Sequence, residues 1–499
     1  MTHTVFIEVG PLQEIRYAGI SNVTLNLCRY WLQRPREASC FFLGPYLIDR
    51  GALEIVVEAR SGGLFQQLLI HKQAIAGLVA NEVRCRPTPV ALFPNVKSVE
   101  GIFGLSFQIV HDISFLVTPE FHHADTLAYH GLAILKDLGT SARTFCVSHA
   151  TAGDLATYLG VPAGRITVIY PGADPPPEVD RYTQNLPNAE PSRPYIVVPG
   201  TIEPRKNIDL VLLGLQRIPQ LLARYDWVFI GSPGWLIAFG DRIAQYGLSD
   251  HYRSGAIKWL GYVDEFQKAF LYRHAETAIY PSFFEGFGIP VVEAMYFGCP
   301  VVCSYSSAIP EAGGDAAFYF DPTSLLSFEQ TLLSALRRLR LERESIRAAS
   351  CRQASRFTWH DFGRKTAEAI ARTVAENARE SQILNTDEIV GFPKPRAEKS
   401  THQGTAMSGA GFDLVDELRR VKRAEIARIT ELAERLLIQF GPVIAIGFLY
   451  YEMLGRPPDG AVCVSHIERL GRAPSTAAGI VEELRALADS ESRNPVQPA

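Results

Sequence analysis

Several features that announce a protein's chemistry are missing from this chain. No Asp-x-Asp, Cys-x2-Cys or His-x3-His spacing occurs in its 499 residues, so the common metal-ligand arrangements are absent from the sequence and no metal is expected. The eight cysteines (Cys28, Cys40, Cys85, Cys146, Cys299, Cys303, Cys351 and Cys463) are scattered, several of them inside apparent strands or helices. They read as reduced core residues of a cytoplasmic protein, not as a disulfide framework. A net charge of only −4 leaves no overall basic field for nucleic acid. His3 leads straight into a strand, without a basic segment and apolar run, so no signal peptide is expected. Long apolar runs are scarce. The nearest, Leu436 to Leu454, is broken by Gln439, Gly441, Pro442 and Glu452; a buried helix pair is the main reading and a seat on a membrane the alternative. With 47% apolar and 20% charged residues the composition is that of a globular protein. The length calls for about three domains.

What the chain does carry is concentrated between Tyr280 and Pro322. Thr277 to Tyr280 is an apolar run that reads as a strand. It leads into a glycine-flanked loop, Glu285, Gly286, Phe287 and Gly288, where Glu285 faces a second carboxylate, Glu293, eight positions on. Pro290 suits the first turn of a helix, since its missing donor goes unused there. Glu293 is expected in that same first turn. Gly298 and Pro300 stop the helix, and Val301, Val302 and Cys303 begin another buried strand. This order places loop and helix start at the carboxyl edge of a parallel sheet, where open α/β folds bind ligands. Two carboxylates suit a polyhydroxylated ligand, because each accepts two or more hydroxyl hydrogen bonds.

In these residues the chain resembles the retaining, nucleotide-sugar-dependent glycosyltransferases of GT-B architecture marked by a Glu-x7-Glu motif (family four, group 1, mannosyltransferase-like). The spacing alone is common in helices. The preceding Pro-Ser and the Glu-Gly-Phe-Gly-Ile-Pro and Glu-Ala cores make it specific. The resemblance implies that Glu293 holds the ribose hydroxyls of the nucleotide and Glu285 the hydroxyls of the donor sugar, with Gly286, Phe287 and Gly288 lining the donor.

A second motif runs from Val197 to Leu215. Tyr195 to Val198 reads as a strand, Gly200 to Asn207 as a turn, and Ile208 onward as an amphipathic helix. Arg205 and Lys206 are therefore expected at a helix amino terminus, whose free N–H groups and dipole already favour anions. Arginine grips phosphate oxygens as a fork while lysine acts as a point charge. The GTIEPRKN context resembles the family's diphosphate clamp, with Gly200 at its head. Thr201 departs from relatives that have an arginine there, which leaves more of the charge to Arg205. The absent Asp-x-Asp speaks against the metal-bridged diphosphate of the other main glycosyltransferase architecture.

The amino-terminal half reads as the acceptor side. Val5 to Val9 is a short apolar strand, and Gly19 precedes a helical pattern through Leu27. Relatives bring a glycine-rich loop here to the donor phosphates. This chain keeps only Gly19 beside Ala18. Gln108 to Val110 runs into His111, Asp112 and the segment to Thr126. A histidine after a strand is often a capped or core residue. The resemblance instead puts His111 beside the reacting sugar, where an imidazole can hydrogen-bond a hydroxyl or assist charge development. His122 and His123 read as acceptor-loop residues or plain surface.

The fold expected is α/β: two Rossmann-like, doubly wound parallel-sheet domains facing a cleft, with an appended all-α domain. Boundaries are placed at residues 1–178 (acceptor side), 179–378 (donor side), 379–411 (a flexible connector lacking periodicity) and 412–499 (helical). Pro175 to Pro194 reads as an interdomain linker, Leu325 to Leu341 as a helix, and Asp361 to Ala375 as another that relatives lay across the first domain. The core Tyr451 to Asp459 resembles a small helical domain attached to bacterial surface-polysaccharide enzymes, where Arg456 and Asp459 either brace the module or serve it otherwise. The implied activity is metal-free, retaining transfer of a hexose, GDP-mannose being the first donor candidate, to a saccharide or lipid-linked acceptor. The tail is assigned self-association, a partner or peripheral membrane contact. A nucleotide-sugar epimerase or phosphorylase and a non-catalytic scaffold are the rival classes.

Overall fold

A computed structural model describes residues 3–17, 19–86, 88–184, 191 and 193–381, with 429–434, 437, 445, 449, 466, 479–484 and 486 farther along. The chain forms two compact units. One contains Met1–Phe107 and the segment beginning at Glu368; the other is built on Gln108–Ala367.

The first sheet comprises Val5–Glu8 (β1), Ser39–Leu43 (β2), Tyr46–Ile48 (β3), Ile75–Leu78 (β4), Val90–Phe93 (β5), Leu105–Val110 (β6), Arg143–Cys146 (β7) and Ile166–Val168 (β8), ordered β4-β3-β2-β1-β5-β6-β7-β8. β1 pairs in parallel with β2 and β5, and β7 with β8, while β3 runs antiparallel to both its neighbours. The second sheet comprises Tyr195–Pro199 (β9), Asp226–Ile230 (β10), Ile257–Trp259 (β11), Thr277–Tyr280 (β12), Val301–Ser304 (β13) and Phe318–Phe320 (β14), ordered β11-β10-β9-β12-β13-β14. It is parallel throughout. The protein thus has two parallel-sheet α/β domains, with helical segments among the described carboxyl-terminal residues.

The central strands of the second sheet are near-continuous apolar runs because helices cover both faces. Ile196, Val198, Trp227, Phe229 and Ile279 form one core with Val211, Leu215, Phe328, Leu332 and Leu336 of the flanking helices. β9 has β10 on one side and β12 on the other. The order of connection reverses there, and the loops leaving β9 and β12 border the crevice where such sheets take ligands.

Three details depart from expectation. The stretch read as a linker contains a helix, Pro177–Gln184, that Pro177 opens and that buries Val179 and Thr183. A proline run that looks like a spacer is here a helix start. The helix expected to end at Leu341 continues as Leu325–Ala354, with one non-helical residue, Glu342, just past that point. Trp359–Ser381 also outruns its expected span; Thr358 caps it by accepting from Asp361 N at 3.1 Å. In the tail, Ile429, Leu432, Ile480, Val481 and Leu484 are buried, and His466 lies 3.1 Å from Glu483. The connector beyond residue 381, the Tyr451 to Asp459 core and most of Leu436 to Leu454 lie outside the described residues.

Candidate active site

The loop after β12 is pinned from several sides. Asn207 Nδ2 donates to Pro281 O at 3.1 Å and Pro322 O at 3.0 Å. Ser304 Oγ donates to Ser282 O at 2.6 Å, and Ser307 Oγ to Glu285 O at 2.7 Å. Ser306 also bonds Phe283 O. Gly288, with φ of 103°, then turns the chain into the helix Ile289–Tyr296. Only a residue without a side chain takes that conformation readily.

Glu285 is the centre of the site. Its Oε1 lies 2.6 Å from Lys206 Nζ and its Oε2 lies 3.1 Å from Arg205 Nη1. Arg205 Nη1 also donates to Phe284 O at 2.7 Å, and Nη2 to Glu203 Oε1 at 2.8 Å. Lys206 Nζ donates to Tyr280 Oη at 3.0 Å and sits 5.2 Å from that ring's centre. Burial by itself would raise the Glu285 pKa, but Arg205 and Lys206 overcome it and hold the carboxyl down to about 2. Burial wins at Glu203, whose pKa is raised although Arg205 and Lys206 pull against it. Gly200, with φ of 144°, lets the loop after β9 pass over the Lys206 stem; a Cβ there would come 3.4 Å from Lys206 Cδ. The two cations occupy the 3-10 turn Pro204–Lys206, and Asn207, itself left-handed, separates them from the helix Ile208–Arg217. They precede the helix instead of forming its first turn.

Glu293 stands in the second turn of its helix, not the first, because Gly288 delays the helix start to Ile289. Lys268 Nζ donates to Glu293 Oε1 at 2.7 Å and to Glu265 Oε1 at 3.1 Å. Phe287 is buried against Tyr170 and Phe357, with ring centres 5.4 and 5.2 Å away. This packing anchors the loop between Gly286 and Gly288.

Residues 108–170 belong to the same compact unit and meet this loop directly. A Cβ on Gly286 would fall 1.9 Å from His111 O, so the backbones touch only because position 286 is glycine. The single Thr151 hydroxyl lies 3.1 Å from His111 O and 3.3 Å from Gly286 O and shares its proton between them, tying the end of β6 to the Glu285 loop. Glu311 accepts from His149 N at 2.8 Å, Ala150 N at 2.7 Å and Tyr170 Oη at 2.8 Å, placing a carboxylate on the amino terminus of the helix His149–Leu159. Trp235 Nε1 donates to Phe121 O at 2.8 Å, and Phe121 stacks on Phe283 at 5.3 Å.

The structure therefore gathers Gly200, Arg205, Lys206, Glu285, Gly286, Gly288 and His111 in one place. Gly19, with φ of 45°, begins the helix Gly19–Leu32 in the other unit. Sequence reasoning missed Tyr280, Glu203, Lys268, Thr151 and Trp235. Tyr280 and Glu203 stood inside the quoted motifs; for the other three the sequence holds no local signal. Among the described residues, no group of three or more His, Cys, Asp or Glu side chains is placed to hold a metal ion. Nor is any described helix long and apolar enough to cross a membrane.

Two parallel-sheet α/β domains, with the carboxylate–cation cluster at the second sheet's carboxyl edge, define a glycosyltransferase of GT-B architecture. Solved structures share that fold. Anabaena Alr3699/HepE, in complex with UDP and glucose, aligns with a TM-score of 0.53 at 18% identity, over 74% of this chain and 100% of its own. WaaG, a glycosyltransferase involved in lipopolysaccharide biosynthesis, aligns with a TM-score of 0.50 at 15% identity, over 74% and 99%. The family model of the Glycosyl transferases group 1 matches residues 183–350. The O-antigen chain mannosyltransferase B of Escherichia coli is 33% identical over 266 residues, 52% of this chain and 68% of that protein. The serotype-specific mannosyltransferase WbdA of Escherichia coli is 25% identical over 295 residues, 56% of this chain but 35% of its own length. This chain belongs to the group 1 glycosyl transferases.

Proposed function

We propose that the protein moves a hexose, with retention, from a nucleotide-diphosphate sugar to a saccharide or lipid-linked saccharide during surface polysaccharide synthesis. The observation that carries this reading is the meeting of Glu285, Arg205 and Lys206 at the switch point of the second sheet. Glu285, kept ionised, accepts hydroxyls of the donor sugar. Arg205 and Lys206 neutralise the diphosphate as its charge grows in the transition state, which is where electrostatic stabilisation accelerates a reaction. These fixed cations supply the charge without a divalent metal. An acceptor oxygen bonds to the anomeric carbon on the face that the diphosphate leaves, and the acceptor proton passes to the departing phosphate oxygen. His111 borders the reacting sugar, and Glu293, oriented by Lys268, holds the ribose.

GDP-mannose is the first donor candidate, supported by the names of the mannosyltransferase relatives and by the GTIEPRKN motif. The reaction is assigned to the cytoplasmic side of the membrane, with the carboxyl-terminal helices serving self-association, a partner or membrane placement. A thermal-stability screen of GDP- and UDP-sugars tests the donor assignment. A ligand at a hundredfold its Kd adds about 2.7 kcal/mol. If no nucleotide sugar stabilises the protein, the reading fails.

A further inference from the structure

Beside the donor cluster stands a wall that the transfer reading leaves without a task. His122 and Trp235 come from different loops of the same unit, one after β6 and one after β10, with ring centres 6.3 Å apart and planes 31° from parallel. The indole N–H donated to Phe121 O fixes the attitude of Trp235, and the Phe121–Phe283 stack ties that corner to the loop of Glu285. Trp235 is only half-buried, and His123 also lies near its ring, 6.4 Å between centres and 49° between planes. Both imidazole nitrogens of His122 are buried and without a hydrogen-bond partner, as is Arg205 Nε. Buried polar atoms are normally satisfied. Three orphans on His122 and Arg205, two side chains close enough for the arginine charge to act on the imidazole, suit a polar ligand group.

The chemistry of the missing group follows from the lining. Burial first, and then the Arg205 charge, lower the His122 pKa, while Asp112 and Glu120 oppose them. A neutral imidazole offers one donor and one acceptor. A sugar hydroxyl is likewise donor and acceptor at once, and it can bond His122 while accepting from Arg205 Nε. A pyranose also has an apolar C–H face that packs on an indole whose N–H is already engaged.

We propose that His122 and Trp235 form the subsite that seats the acceptor saccharide and sets which saccharide is accepted, Trp235 by stacking and His122 by bonding a hydroxyl. The proposal rests on the transfer reading, but it concerns the acceptor and not the donor. The test uses the full chain saturated with the nucleotide diphosphate that stabilises it best, titrated with methyl α-mannoside and with mannose oligosaccharides in a calorimeter. His122→Phe and Trp235→Leu should each weaken saccharide binding about tenfold, the size of one lost hydrogen bond or contact face. Nucleotide affinity should stay within about twofold by the same scale. His122→Asn, which keeps a donor and an acceptor, should recover most of the loss. Unchanged saccharide affinity in both variants would overturn the subsite, with the orphaned nitrogens then facing solvent molecules alone. Equal losses of nucleotide and saccharide affinity would overturn it as well, as would a nucleotide-loaded wild type that binds no saccharide. A wild type that binds no nucleotide overturns the transfer reading itself.

Discussion

Glu285 Oε1 lies 2.6 Å from Lys206 Nζ, and the carboxylate's other oxygen faces Arg205. The motif glutamate and the two cations are therefore one ionic unit and not two neighbouring features. With Glu203 on the far side of Arg205, two acids balance two bases. That balance lets four charged side chains stay buried, since unpaired charge in such a place is costly. Lys206 uses two of its three N–H donors on Glu285 and Tyr280; on the proposed reading the third meets a phosphate oxygen.

Lys206→Ala should reduce turnover at saturating donor by roughly a hundred- to a thousandfold, the usual effect of removing one electrostatic donor to developing charge. Circular dichroism should show the fold retained, because Arg205 still faces Glu285. Wild-type turnover in this variant would remove Lys206 from the mechanism.

Arg205→Ala should act on stability as well. It strands Glu203 and Glu285 with a single cation, and breaking a buried pair from one side costs about 3–5 kcal/mol. Urea denaturation measures this, and a loss under about 1 kcal/mol, typical of exposed pairs, would contradict the burial argument.

The second sheet was largely legible in the sequence because its strands are short apolar runs closed by glycine, proline and charge. Thr277–Tyr280 and the start at Ile208 fall where the pattern puts them. Glu285, Arg205 and Lys206 were legible as types with a purpose, but their mutual ion pairs were not. That contact joins positions 79 and more residues apart, and nothing local encodes it. Lys268 is a plain helix lysine until the fold brings Glu293 to it. Trp235 was invisible for the same reason, while His122 was legible only as an acceptor-loop or surface residue: only the packing of two loops gives them a shared surface.

Two buried carboxyls should give stability opposite slopes with pH. Glu285 is lowered from 4.5 to about 2, so its contribution is complete above pH 4.5 and is lost as pH falls toward 2. Glu8, buried at the end of β1, is raised from 4.5 to about 8, chiefly by desolvation against the opposing Gly10 N–H. It keeps its proton while the unfolded chain has lost it, so stability falls as pH rises from 4.5 to 8. Glu8→Gln should flatten that decline, and Glu285→Gln should narrow its deficit against wild type as acid is added. Denaturation curves at pH 3, 5 and 8 check both signs.

On the proposed assignment of Arg205 and Lys206 to the donor diphosphate, activity should survive EDTA, with no divalent ion needed to hold it. Transfer lost on chelation and restored by Mg²⁺ or Mn²⁺ would show that the cation pair is not the diphosphate clamp.

The deciding measurement follows a label. The nucleotide sugar that stabilises the protein most is supplied with its hexose radiolabelled, together with a mannose-terminated saccharide, to wild type and to Glu285→Gln. Wild type should move label into the saccharide and release nucleoside diphosphate in equal amount, while Glu285→Gln should leave nearly all of it in the donor. Nucleotide release without a labelled saccharide, interconversion of the donor alone, or equal transfer by Glu285→Gln would contradict a glycosyltransferase built around Glu285, Arg205 and Lys206.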